Sequence, residues 1–301
     1  MADALSKSKT QRPPVHLGPE PWQPVTAELE KWLPGFWSMT ENRLEKAESV
    51  LPSADRLNQG FDYRNNNGKV LQFVPQDASL PFFHMAYEER IWHHGLIASR
   101  NNWHDFFNAL VWRTFPRIKS ALNTIHWRQM QHHESPSRSA RRDAVTLFDE
   151  CGIIVLGEAP AALHDIRKHR WESVFASAKN PWQHRTGPQA LRAITFGHAM
   201  FEKYLRPYEG LTAKAALLCV PAGFIQQLDT NYAAAIHWLD QRLAGAILHD
   251  EFLCHSQELA PLPVLGIPGW WLNRPRDFWR NSRYFRPPSQ RTGERKIYVL
   301  S

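Results

Sequence analysis

The chain has 301 residues, 43% hydrophobic and 22% charged, which is the balance of a globular protein and excludes a disordered one. Thirteen Trp and sixteen Phe supply enough large apolar side chains for a sizeable core. The formal charge of +7 is spread over Lys7, Lys9 and Arg12, over Arg138, Arg141 and Arg142, and over Arg286, Arg291, Arg295 and Lys296. That pattern reads as a mildly basic solvated surface, with a phosphate-bearing ligand or nucleic acid as the alternative.

Residues 1–21 read as a mobile tail, and their lack of an apolar run argues against a signal peptide. From residue 22 to 301 a single globular domain is expected. It has a helical half (22–133), a mixed half (141–260) and an irregular C-terminal arm (261–301). Helical signals occur in VTAELEKWL and in SMTENRLEKAESVL, where Thr40 is a candidate cap. YRNNNGKVLQFVP predicts a turn leading into a strand near 70–74. HMAYEERIWHHG (84–95) predicts a helix stopped by Gly95, with Glu89 rather than Glu88 facing inward. Residues 103–114 predict the next helix, and Pro116 is placed to open a third that runs through FPRIKSALNTIHWRQMQHH. ESPSRSA marks a loop or hinge.

Beyond it, AVTLF, DECG and IIVLG predict a β-hairpin near 144–156 with Asp149 and Glu150 in its loop. Helices are expected at 160–169 and 188–205, a strand in AKAALLCV, and a long helix over 230–249. The Trp-, Pro- and Arg-rich end predicts an ordered arm wrapping the domain. The expected fold is therefore α+β, a mainly helical single domain whose small sheet combines the hairpin with strands near 70–74 and 213–219. Cys151, Cys219 and Cys254 are widely spaced and form no CxxC pair, as in a reducing cytoplasm. No apolar run approaches the roughly 18–20 residues of a membrane span.

The candidate chemistry centres on NNWHDFFNALVW (101–112). At helical spacing His104 and Asn108 share a face, with Asp105 beside them in the opening turn. Lys119, Asn123 and His126 form a second polar stripe on the following helix. Two such stripes either flank a cleft or bury a hydrogen-bonded network. His198 and Glu202 stand four residues apart in TFGHAMFEKYL, a spacing compatible with metal ligation but common on ordinary helices. Arg142 and Asp143 precede the expected hairpin, within possible reach of the cleft. GxSxG, P-loop, Rossmann glycine and HExxH motifs are absent, so no cofactor and no bound metal are expected.

FVPQ, AYEERIW, NWHDFFNALVWRTFPRIKSALN, RRDAVTLFDECG, FGHAMFEK, LTAKAALL, PLPVLGIPGWW and YFRPP occur in order from about residue 70 to 288. Together they resemble the proteobacterial domain-of-unknown-function family numbered 3025. The resemblance implies a bacterial cytoplasmic domain and carries no known activity, substrate or cofactor. It also implies that Glu89, His104, Asp105, Asn108, Lys119, Asn123, Arg142, Asp143, Asp149, Glu150 and His198 belong to a shared pattern.

The expected function is a hydrolase-like or transferase-like enzyme, with whether it is an enzyme at all left open. His104 would act as general acid or base, oriented by Asp105 or another carboxylate. Asn108, Asn123, Asp143 and His198 would complete the site, and Lys119 or Arg142 would neutralise developing negative charge. The alternative is a non-catalytic protein that binds a phosphate-bearing ligand or nucleic acid.

Overall fold

The computed structural model describes residues 51–77, 79–131, 140–177, 180–205, 207–271, 277–287 and 295–301. The expected tail, the two helical signals before residue 51 and nearly all of ESPSRSA lie outside these residues. A short helix α1 (Ala54–Asn58) leads to strand β1 (Gln72–Pro75). Helix α2 (Tyr87–His94) then crosses to strand β2 (Leu96–Ser99), which pairs in parallel with β1. Gly95 ends α2 at φ 74°, and a Cβ there would collide with the carbonyl of Val70, so both backbone and space demand glycine.

Helices α3 (Trp103–Thr114) and α4 (Pro116–Gln131) follow as expected, separated by Phe115 alone. Asn102 caps α3 by accepting from the Asp105 amide at 2.9 Å. The start of α4 is capped from far along the chain. Asp240 accepts from the amides of Arg117 at 3.1 Å and Ile118 at 2.9 Å.

The expected hairpin at 144–156 is not formed. Residues Ala140–Cys151 are helix α5, which passes directly into strand β3 (Gly152–Gly157). Ala144, Val145 and Phe148 are the buried face of α5, and the Thr146 hydroxyl bonds back to the Arg142 carbonyl. A five-residue apolar run such as AVTLF fits either period, and tertiary packing decided for the helix. Asp149 and Glu150 therefore stand on the last turn of α5 and not in a hairpin loop.

Helix α6 (Pro160–Arg167) is followed by a π-helical turn at Glu172–Ala176. The helix expected over 188–205 is split. Its first part is strand β4 (Leu191–Thr195), antiparallel to β3, and its second part is helix α7 (His198–Leu205). Pairing with β3 overrides the helical propensity of Leu191, Arg192 and Ala193. Strand β5 (Thr212–Cys219), helix α8 (Phe224–Thr230) and the long helix α9 (Tyr232–Leu248) come next.

The C-terminal arm is less irregular than expected. It contributes strands β6 (Ala260–Pro263) and β7 (Ile297–Val299) to the main sheet, and β6 begins one residue before the arm's expected start. That sheet runs β4-β3-β5-β6, with β7 also on β5. Strand β5 is its centre, parallel to β3 on one side and lined on the other by β6 and then β7. The strand near 70–74 belongs instead to the separate β1–β2 pair. Every residue of β3 is buried, as expected of a strand covered on both faces. Phe148 of α5 stacks on Phe196 at 4.5 Å, and Tyr284 of the arm donates to the Leu211 carbonyl at 2.6 Å. Among the described residues no helix is long and apolar enough to cross a membrane.

Candidate functional site

Helices α2, α3, α5 and α7 bring their polar residues to one cavity of about 380 Å³. Its lining includes Gln76, Tyr87, Glu88, Arg90, Arg100, His104, Asp105, Asn108, Asp149, Glu150 and His198. A backbone contact makes this possible. Gly197 donates to the Gly152 carbonyl at 2.8 Å, and a Cβ on Gly197 would strike the backbone of Glu150, Cys151 and Gly152. That approach seats His198, the first residue of α7, against the last turn of α5.

One wall of the cavity is a buried hydrogen-bond chain. Lys119 Nζ donates to Asp149 Oδ1 and Oδ2, at 2.6 and 2.8 Å, and to Asn108 Oδ1 at 2.9 Å. Asn108 Nδ2 donates in turn to the Tyr87 hydroxyl at 2.9 Å, which leaves the Tyr87 proton free to donate. Burial raises the Tyr87 phenol far above its usual range and keeps that proton in place. Burial pushes the Asp149 carboxyl up as well, but the Lys119 ammonium and the His198 ring outweigh it and hold it below the usual aspartate range. Asn123 sits behind the cavity, donating to the Glu88 carboxylate at 2.7 Å.

Beside this chain are two imidazoles in contact, His104 and His198, with ring centres 4.7 Å apart in an edge-to-face arrangement. His104 Nδ1 lies 3.2 Å from Glu202 Oε2, and this hydrogen bond raises its pKa against the opposing effect of partial burial. His198 is nearly inaccessible, and burial lowers its pKa, with Asp149 countering and Lys119 reinforcing the shift. Its Nδ1 faces Asp149 Oδ2 at 3.9 Å, too far for a hydrogen bond, and has no partner. Its Nε2 lies 3.5 Å from Glu150 Oε1. One donor atom from each of His104, Glu150 and His198 lies within 4.8 Å of the other two.

The family model described as "Protein of unknown function (DUF3025)" matches residues 71–289, most of the chain and all of the cavity lining. The chain belongs to this family. No curated protein and no solved structure matches the DUF3025 chain significantly.

Of the residues singled out in the DUF3025 sequence, His104, Asp105, Asn108 and His198 line the cavity, and Lys119 and Asn123 brace its walls. Asp105 does so while bound to Arg100, accepting from its amide at 2.7 Å, its Nε at 2.9 Å and its Nη2 at 3.1 Å. Arg142 and Asp143 lie near the start of α5 and are not part of the lining. Glu88, and not Glu89, faces the cavity. Glu202 pairs with His104 across to α3 instead of with His198 on its own helix. Asp149 and Glu150, expected in a hairpin loop, line the cavity because 140–151 is helical, and the apolar residues Ala144, Val145 and Phe148 at helical spacing are the signal for it.

Proposed function

We propose that the cavity is the active site of a hydrolase or group-transfer enzyme. The single observation that carries this reading is the convergence of two imidazoles and Glu150 from three helices. Glu202 is hydrogen-bonded behind His104, and Asp149 lies 3.9 Å from Nδ1 of His198. Proton-accepting groups grouped in this way draw a proton from an attacking water, or from an acceptor hydroxyl in a transfer reaction.

The same cavity supplies what must meet the developing negative charge. The Tyr87 hydroxyl is held by Asn108 with its proton still available, and the Arg100 guanidinium stands at the rim. Asp149, Lys119 and Asn108 hold Tyr87 in place, and Asp105 holds Arg100. In this reading Asp105 is a positioning residue that fixes the turn before α3, because its oxygens are already taken by Arg100.

The test is turnover of a panel of chromogenic esters, phosphomonoesters, phosphodiesters and anilides by wild type, His104→Gln, Glu150→Gln and Tyr87→Phe. Turnover of one class, reduced roughly a hundredfold or more in the first two variants and less in Tyr87→Phe, is the expected result. No turnover above background, or equal turnover by all four proteins, would overturn the reading.

A further inference from the structure

We infer that His104, Glu150 and His198 bind a divalent transition-metal ion of the zinc type. The inference rests on the active-site reading and changes how the nucleophile is activated: the three groups there taken as proton acceptors hold an ion, and the ion lowers the pKa of a bound water in their place. The distances carry it. At 3.5 Å, His198 Nε2 and Glu150 Oε1 are too far apart for a good N–H···O hydrogen bond, which lies at roughly 2.7–3.2 Å. Two ligands bound to one tetrahedral ion at about 2.0–2.1 Å stand roughly 3.3 Å apart. The pair is therefore spaced as ligands of one ion, and the His104 donor lies within 4.8 Å of both.

The outer partners support the same assignment. His104 Nδ1 is occupied by Glu202, which leaves Nε2 for an ion. His198 Nδ1 faces Asp149, which leaves the Nε2 that already points at Glu150. A carboxylate hydrogen-bonded behind a ligating imidazole is the usual arrangement around bound zinc, because it fixes the tautomer and the ring orientation, and Glu202 holds that place behind His104.

Charge agrees. Among the lining residues Asp105 is matched by Arg100 and Asp149 by Lys119, whereas among the described residues Glu150 pairs with the His198 imidazole and, like Glu88, with no Lys or Arg. Two nitrogens and one oxygen favour zinc-like ions over magnesium or calcium, which prefer all-oxygen sites. Three protein ligands beside an open cavity leave a position for water or substrate.

The experiment uses the full chain stripped with a chelator and titrated with Zn²⁺ by calorimetry and with Co²⁺ by visible absorption. Binding of about one ion per chain, with cobalt d–d bands of a low-coordinate site, is expected. Glu150→Gln and His104→Gln should each weaken binding at least roughly tenfold while leaving the melting temperature of the stripped protein unchanged. The inference falls if micromolar Zn²⁺ and Co²⁺ do not bind, if both variants bind as wild type does, or if Mg²⁺ or Ca²⁺ binds in preference. Metal bound without turnover of any substrate class would sink the enzyme reading and leave this site standing. Turnover that is lost in both variants, in a protein that binds no metal, would do the reverse.

Discussion

Lys119 Nζ and the Asp149 carboxylate form an ion pair at 2.6 Å, with the lysine side chain 4% and the aspartate side chain 17% exposed. The pair joins α4 to the last turn of α5, one residue from Glu150, so it sets the cavity wall as well as the packing of the two helices. Lys119→Met would leave the Asp149 charge buried without its cation. The expected loss is roughly 3–5 kcal/mol in urea denaturation, because an unpaired buried charge loses its compensation. The double variant Lys119→Met with Asp149→Leu should recover a large part of it. Equal losses in the single and double variants would mean that the pair does not act as a unit.

Asp105 and His104 are neighbours with opposite prospects. Asp105 is buried and accepts three hydrogen bonds from Arg100, whereas the His104 side chain is 38% exposed. Asp105→Asn should cost roughly 1–3 kcal/mol, since the amide loses one acceptor and the charge that faces the guanidinium. His104→Asn should cost about 1 kcal/mol or less, because its polar groups still reach water. Thermal melts of the two variants check this, and equal shifts would contradict it.

Asp240 gives a pH signature unconnected with the cavity. Burial raises its carboxyl from 3.8 to about 6, even though the Ile118 and Arg117 amides favour the charged form. A raised folded-state pKa means the native protein binds more protons than the unfolded chain between those values. The group's stabilising contribution is therefore full below about 4 and is lost as pH rises through about 6, by roughly 2–3 kcal/mol. Urea midpoints measured across this range should fall with pH in wild type by more than in Asp240→Asn. Parallel curves for the two proteins would refute the assignment.

Gly197→Ala tests the backbone contact that seats His198. Its Cβ would meet backbone atoms of Glu150, Cys151 and Gly152, none of which can rotate aside. The expected cost is roughly 1–3 kcal/mol from overpacking, together with displacement of His198 from Glu150. Calorimetric unfolding measures the first effect, and the His198 imidazole resonances report the second. An alanine variant with unchanged stability and unchanged resonances would show that α5 and α7 can separate freely.

The sequence by itself determined the local elements whose signals lie within one or two turns. Helix α4 opens on Pro116 and α2 stops at Gly95, each at the residue its chemistry favours. The polar stripes on α3 and α4 were legible for the same reason, since His104 and Asn108, or Lys119 and Asn123, share a face by helical period alone. It also showed the buried apolar run of β5. Tertiary structure alone decided the rest. AVTLF satisfies both a strand and a helix period, and only the burial of Ala144, Val145 and Phe148 on one face selects the helix. LRAIT becomes a strand because β3 lies beside it. The His104, Glu150 and His198 group has no sequence motif because its members come from three helices, brought together by the Gly197–Gly152 approach. Such a group is set by packing between elements, which no local spacing of residues records.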